Sequence, residues 1–221
     1  MPELPEVETV RAGLHDRLRG RVLETVEQRR ADLRIPFPPR FAARLRGRHL
    51  DRIARRGKYL LWHFCGGPVL IAHLGMSGRW VLRDDNGAPP LPHEHVVLTF
   101  AGGAVACYRD PRRFGLMTLA ADEDLAAHPL LADMGPEPLT PAFDGAVLAR
   151  AFRGRRAPVK SLLLDQRVVA GLGNIYACEA LFRAGIAPDR AAGRLRADRT
   201  LRLADSVREV LADAITAGGS S

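Results

Sequence analysis

The feature that most limits how this 221-residue chain can fold is a change of hydrophobic period near Asp122. Before that point, short apolar and β-branched runs are bounded by glycine, proline and charge. They cover 22–26, 49–53, 59–64, 69–73, 79–82, 96–100 and 104–108, a spacing that predicts the strands of a sandwich or barrel-like sheet. Gly102-Gly103 between the last two predicts a hairpin turn. After Asp122 the apolar residues recur at helical spacing, predicting helices over 122–134, 140–152, 159–166, 174–184 and 197–217. One earlier helix is expected over 6–18, where Val7, Val10, Leu14 and Leu18 share a face behind Pro2 and Pro5. The expected class is therefore α+β: an N-terminal helix with a β-sandwich domain over 1–134, then a helical domain over 135–221. Gly135, Pro136 and Pro138 mark the linker.

A hydrophobic content of 47% is enough for packed cores. No run approaches the roughly 20 apolar residues of a membrane span, and no basic-then-apolar leader opens the chain, so the cytoplasm is the expected compartment. A formal net charge of +8 points to a polyanionic partner. Lysine occurs only at Lys58 and Lys160, and arginine supplies the rest of the 33 basic residues. Guanidinium forks phosphate well but cannot readily give up a proton, so a retained lysine suggests a need for an amine. Chance survival under an arginine bias is the alternative. Cys65, Cys107 and Cys178 form no C-x-x-C pair, which argues against a zinc site or a disulfide framework and for buried free thiols.

The opening Met1-Pro2-Glu3-Leu4-Pro5-Glu6-Val7-Glu8-Thr9 has two readings. A small second residue permits loss of Met1, which leaves Pro2 with a free secondary amine. An α-amino group has a pKa about 2.5 units below that of lysine and is correspondingly more nucleophilic near neutrality. Attack on an aldehyde-like carbon would give a cationic iminium, an electron sink for elimination, with Glu3 beside it as general acid or base. The alternative is a rigid helix entry whose acids suit the helix dipole.

Together with four further blocks, this opening resembles the formamidopyrimidine-DNA glycosylases, bacterial enzymes that remove 8-oxoguanine and ring-opened purines. The blocks are Arg56-Gly57-Lys58-Tyr59-Leu60-Leu61, His73-Leu74-Gly75-Met76-Ser77-Gly78, Asp110-Pro111-Arg112-Arg113-Phe114-Gly115 and Val169-Ala170-Gly171-Leu172-Gly173-Asn174-Ile175-Tyr176-Ala177. The resemblance implies Pro2 as the nucleophile at C1′, with Glu3 assisting base loss and sugar opening. Glu6 would be an organising acid, and Lys58 the amine tied to proton transfer and β-elimination. Met76, Arg112 and Phe114 fall on the wedge that fills the gap left by an extruded nucleotide, where a few kcal/mol of unstacking must be offset. Arg112 would also face the orphaned base. His73, His93, Arg155, Arg156 and Lys160 match or adjoin positions that hold phosphates. Gly171-Leu172-Gly173-Asn174 resembles a helix-two-turn-helix turn, with Asn174 as both N-cap and phosphate donor.

The implied partner is double-stranded DNA carrying oxidised purines or abasic sites, bound by a monomer associated with the bacterial nucleoid. Family members continue into a zinc finger with four cysteines, whereas this sequence ends at Gly218-Gly219-Ser220-Ser221. The expectation is therefore a chain without cofactor, lacking the finger and the base-covering loop, and weak in excision. An endonuclease VIII-like enzyme for oxidised pyrimidines and a non-catalytic DNA-binding fragment are the alternatives. The Leu4 opening and the Arg112-Arg113-Phe114 wedge favour the purine branch.

Overall fold

A computed structural model describes residues 1–84 and 89–219. The element order is α1 (Leu4–Leu18), β1 (Leu23–Gln28), α2 (Phe41–Leu45), β2 (Leu50–Arg56), β3 (Tyr59–Phe64), β4 (Val69–His73), β5 (Arg79–Asp84), β6 (Glu94–Phe100), β7 (Ala104–Arg109) and β8 (Leu116–Ala120). A 3₁₀ segment over Asp122–Ala127 follows, then α3 (Gly145–Phe152), α4 (Val159–Leu164), α5 (Asn174–Ala184) and α6 (Ala197–Thr216). Two compact units result. The first takes Met1–Pro2 and Val7–His128; the second takes Glu3–Glu6 and Pro129–Ser221. Ser220 and Ser221 of the expected tail lie outside the described residues.

In the first unit, two four-stranded antiparallel sheets have the orders β1-β6-β7-β5 and β2-β3-β4-β8. Alternation along β3 and β6 sends Leu60, Trp62 and Phe64, and Val96, Leu98 and Phe100, into one core with Val7, Leu14 and Leu18 of α1. Trp62, Trp80 and Tyr108 continue through that core as tilted ring pairs, with centroids 4.9 and 5.2 Å apart. Gly102 and Gly103 both take positive φ in the β6–β7 connection, as expected of a glycine hairpin.

In the second unit, Phe143, Leu148, Phe152, Leu172, Tyr176, Leu203 and Val207 form a helical core that also includes Leu4. Gly145 lets α3 approach α6 closely, since a Cβ there would lie 2.5 Å from the Leu201 Cα. Helix α5 ends on Gly185 at φ 64°, with the Ile186 N–H bonded to the Leu181 carbonyl, a Schellman closure.

Several expectations are corrected. The helix expected over 122–134 is only the 3₁₀ segment, because His128 precedes Pro129 and adopts an extended ψ of 131°. The helix expected over 140–152 starts at Gly145, since Thr140 precedes Pro141 and Asp144 caps the Val147 N–H at 2.8 Å. The short helix α2 and strand β8 were not expected. Leu116–Ala120 is rich in leucine, methionine and alanine, and is a strand through its pairing with Val69–His73. Of the cysteines, only Cys107 is buried; Cys65 and Cys178 are exposed.

Candidate active site

The N-terminal segment and the turn before α5 are joined through two carboxylates of the second unit. Glu3 precedes the first residue of α1, and Glu6 sits three residues later. The Glu6 carboxylate accepts the Glu3 N–H at 2.8 Å, which is half of a capping box. Its other oxygen accepts the Tyr176 hydroxyl. Glu3 itself is 3% exposed. Its carboxylate accepts the N–H of Ile175 at 2.9 Å and that of Tyr176 at 3.5 Å. Those are the second and third residues of α5, the two donors an N-cap side chain ordinarily satisfies.

The cap residue of α5 is Gly173, which has no side chain to offer. A Cβ there would fall 2.3 Å from the Glu3 carboxyl carbon, so the glycine makes room for a cap supplied from elsewhere in the chain. The Leu4 N–H bonds the Gly171 carbonyl at 3.1 Å and fixes the same juxtaposition. Asn174 is therefore not the N-cap. It is the first helical residue and is exposed, free to meet a ligand. The helix-entry reading of the opening segment is seen directly, since α1 begins at Leu4 with Glu6 in its first turn.

In the first unit, Lys58 occupies the two-residue turn between Arg56 and Tyr59. Gly57 has φ 55°, the sign that the first central position of a type II′ turn requires. Arg55 clasps this turn: its guanidinium donates to the Gly57 carbonyl at 3.0 Å and to Glu8 of α1 at 2.9 Å. Lys58 is only 7% exposed, so it is not a solvated surface lysine.

His73 ends β4 beside this turn, its ring tilted 51° against Tyr59 at a centroid distance of 4.8 Å. Burial, and then the charges of Lys58 and Arg34, lower its pKa to about 4. Its Nδ1 accepts the Gly75 N–H at 3.0 Å, leaving Nε2–H as an uncharged donor. His73, Met76 and Phe114 line one depression with Met1, Arg34 and Gly75. Met76 and Phe114 are 42% and 44% exposed, and the Arg112 guanidinium lies 4.6 Å from the Phe114 ring centroid. Large apolar side chains held in solvent by rigid backbone suit insertion into a stack.

The rigidity comes from a residue that the exposed motif members overshadowed. Asp110 is completely buried. It accepts the Ser77 hydroxyl at 2.6 Å, the Gly115 N–H at 2.8 Å and the Tyr108 hydroxyl at 3.4 Å. Ser77 in turn accepts the Arg112 N–H at 3.2 Å. The two loops meet backbone to backbone at Gly75, where a Cβ would lie 2.3 Å from the Phe114 carbonyl carbon. His93 is exposed at φ 67°, and its carbonyl accepts the Asp110 N–H at 3.1 Å. Pro2 is half-buried, and its nitrogen is an amide while Met1 is attached. In the second unit, Arg155 and Arg156 are exposed and Lys160 is half-buried on α4. Among the described residues, no helix is long and apolar enough to cross a membrane.

The sheet unit exposes Met76 and Phe114 and the helical unit carries a glycine turn before α5, and comparison places the chain among DNA glycosylases. Residues 1–117 match the formamidopyrimidine-DNA glycosylase N-terminal domain, and residues 134–221 match the formamidopyrimidine-DNA glycosylase H2TH domain. The chain belongs to the formamidopyrimidine-DNA glycosylase family. It is 55% identical over 228 residues to the formamidopyrimidine-DNA glycosylase of Cereibacter sphaeroides, covering 100% of this chain and 81% of that one. Identity to the Rhodospirillum rubrum protein is 53%, covering 100% and 79%. The MutM protein of Thermus thermophilus superposes with a TM-score of 0.88 at 42% identity, covering 100% of this chain and 78% of its own. The Lactococcus lactis enzyme in complex with DNA containing Fapy-dG gives 0.91 at 35% identity, covering 99% and 82%.

Proposed function

We propose that this chain excises oxidised purines, 8-oxoguanine and formamidopyrimidines, from duplex DNA and cleaves the resulting abasic site through a Schiff base on Pro2. The family match across both units carries this reading. The DNA-bound relatives support the partner, and in a bacterial cell that partner is the nucleoid.

Loss of Met1 would free the Pro2 amine. Its lone pair attacks C1′ as the glycosidic bond breaks, and the base leaves with a proton. Glu3, bonded to the N-terminus of α5, is the adjacent group for moving protons as the sugar ring opens to the iminium. Glu6 orients Glu3 through its backbone and holds Tyr176. Loss of the C2′ proton then expels the 3′ phosphate, with Lys58 as the amine for proton transfer. Met76, Arg112 and Phe114 fill the vacated stack. His73 donates to a phosphate without charge, while His93, Arg155, Lys160 and Asn174 hold further phosphates.

No step requires a cofactor on these residues. The three cysteines do not fit the zinc finger that the family implies: Cys107 is buried and Cys65 exposed in the first unit, and Cys178 lies exposed on α5. Borohydride reduction on an abasic duplex, followed by peptide mapping, should place the DNA adduct on Pro2 of chains that have lost Met1. An adduct on Lys58, or none at all, would overturn this assignment and favour a different amine or a purely DNA-binding role.

A further inference from the structure

The second unit has a strongly basic hollow that the phosphate positions above only touch. Gly154, Arg155 and Arg156 line one side; Asp189, Arg190, Ala191, Gly193 and Arg194 line the other. The two segments are zipped together. The Val159 N–H bonds the Arg190 carbonyl at 2.8 Å, Ala192 N–H bonds Ala157 at 3.0 Å, and Gly193 N–H bonds Arg155 at 2.9 Å. Pro158 and Ala191 form an antiparallel bridge. Gly193 is needed for this approach, because a Cβ there would lie 2.9 Å from the Arg155 carbonyl oxygen. Four guanidinium groups therefore project from a fixed backbone, all exposed.

Their charge is poorly compensated. Among the described residues none of the four enters an ion pair, and Asp165, which senses the Arg155 charge, is held by Arg167 at 2.7 Å. A second hollow in the same unit shows the contrast. There Arg183 and Arg202 share the surface with Asp198, Asp205 and Glu209, and Arg183 is paired with Asp213 at 2.8 Å.

We propose that Arg190 and Arg194 extend the DNA-binding surface as a second row of contacts to backbone phosphates, beyond those assigned to Arg155, Arg156 and Lys160. This rests on the glycosylase reading above. The charged donors offered to a ligand are side chains, and the N–H groups of Val159, Lys160, Ala192 and Gly193 are spent within the zipper. An enclosed site for a single phosphate would use such backbone donors. A row of exposed guanidiniums instead suits a polyanion whose charges recur along each strand about every 3.4 Å of axis.

The test is binding of the whole chain to a duplex with a tetrahydrofuran abasic analogue, titrated across potassium chloride concentrations. Each phosphate neutralised contributes about −0.9 to the slope of log K against log salt. Arg190→Ala with Arg194→Ala should make the slope shallower by about 1 to 2, and Arg190→Lys with Arg194→Lys should restore it. Arg183→Ala with Arg202→Ala controls for net charge and should leave the slope near the parent value. The proposal is overturned by an unchanged slope in the alanine pair, or by an equal change in the control pair. It is also overturned if inorganic phosphate at matched ionic strength displaces DNA from the parent but not from the alanine pair, which would indicate a site for the free ion. A parent chain that binds no duplex would instead sink the glycosylase reading itself.

Discussion

Each unit hides a carboxylate held by uncharged donors, Asp110 in the sheet unit and Glu3 in the helical unit. Both are nearly or wholly buried, and both are satisfied by neutral donors. Their donors differ in origin. Asp110 binds groups within 35 residues of itself, so it ties two loops of one unit together. Glu3 binds N–H groups 172 and 173 residues away, so it completes a helix that could not cap itself. A buried carboxylate is costly unless fully hydrogen-bonded. Each is fully hydrogen-bonded, Asp110 where the Gly75 and Phe114 loops meet and Glu3 at the start of α5.

The first prediction separates the two. Glu3→Gln keeps a carbonyl oxygen for one α5 N–H but cannot exchange a proton as an acid does. It should lower 8-oxoguanine excision by about 10³-fold while costing only about 1 kcal/mol of stability. Single-turnover kinetics beside urea unfolding would check both, and an equal loss in the two would reduce Glu3 to a cap. Asp110→Ala should show the opposite balance. It strands the Ser77 hydroxyl and the Gly115 N–H and leaves the Tyr108 hydroxyl only the Leu74 carbonyl, at a cost of about 3 kcal/mol read by denaturant unfolding. Retention of parental stability would mean the wedge loops do not depend on it.

The third prediction sharpens the comparison with a buried group that must stay neutral. His73 titrates near 6.5 when unfolded and at about 4 in the fold. The unfolded chain therefore takes up this proton first as pH falls. The stability tied to the neutral ring is fully present above about pH 6.5 and is lost progressively between there and pH 4. In that window His73→Gln should flatten the dependence of the unfolding midpoint on pH. An unaltered profile would mean that other groups carry it.

Much of this was legible in the sequence because it is periodic or local. Strands β3 and β4 and helix α5 have the bounds that their apolar runs predict. The motif blocks contained Asp110 and Ser77, yet function attached to their exposed neighbours, since burial is not written in a motif. The misreading of Asn174 has the same root: local sequence offered a polar residue beside Gly173, and the true cap came from the other end of the chain. Arg55, which ties the Lys58 turn to Glu8, likewise looked like one arginine among many.

The distance along the chain between Glu3 and its partners orders events during synthesis. At about 5–20 residues per second, a ribosome delivers Ile175 on the order of ten to thirty seconds after Glu3. Throughout that interval the amino terminus has no helix end to grip, and Met1 stands open to removal. Only when α5 emerges do its first N–H groups recruit the Glu3 carboxylate. The interval set by 172 residues of chain thus comes before the capture of Glu3, with no separate timer needed.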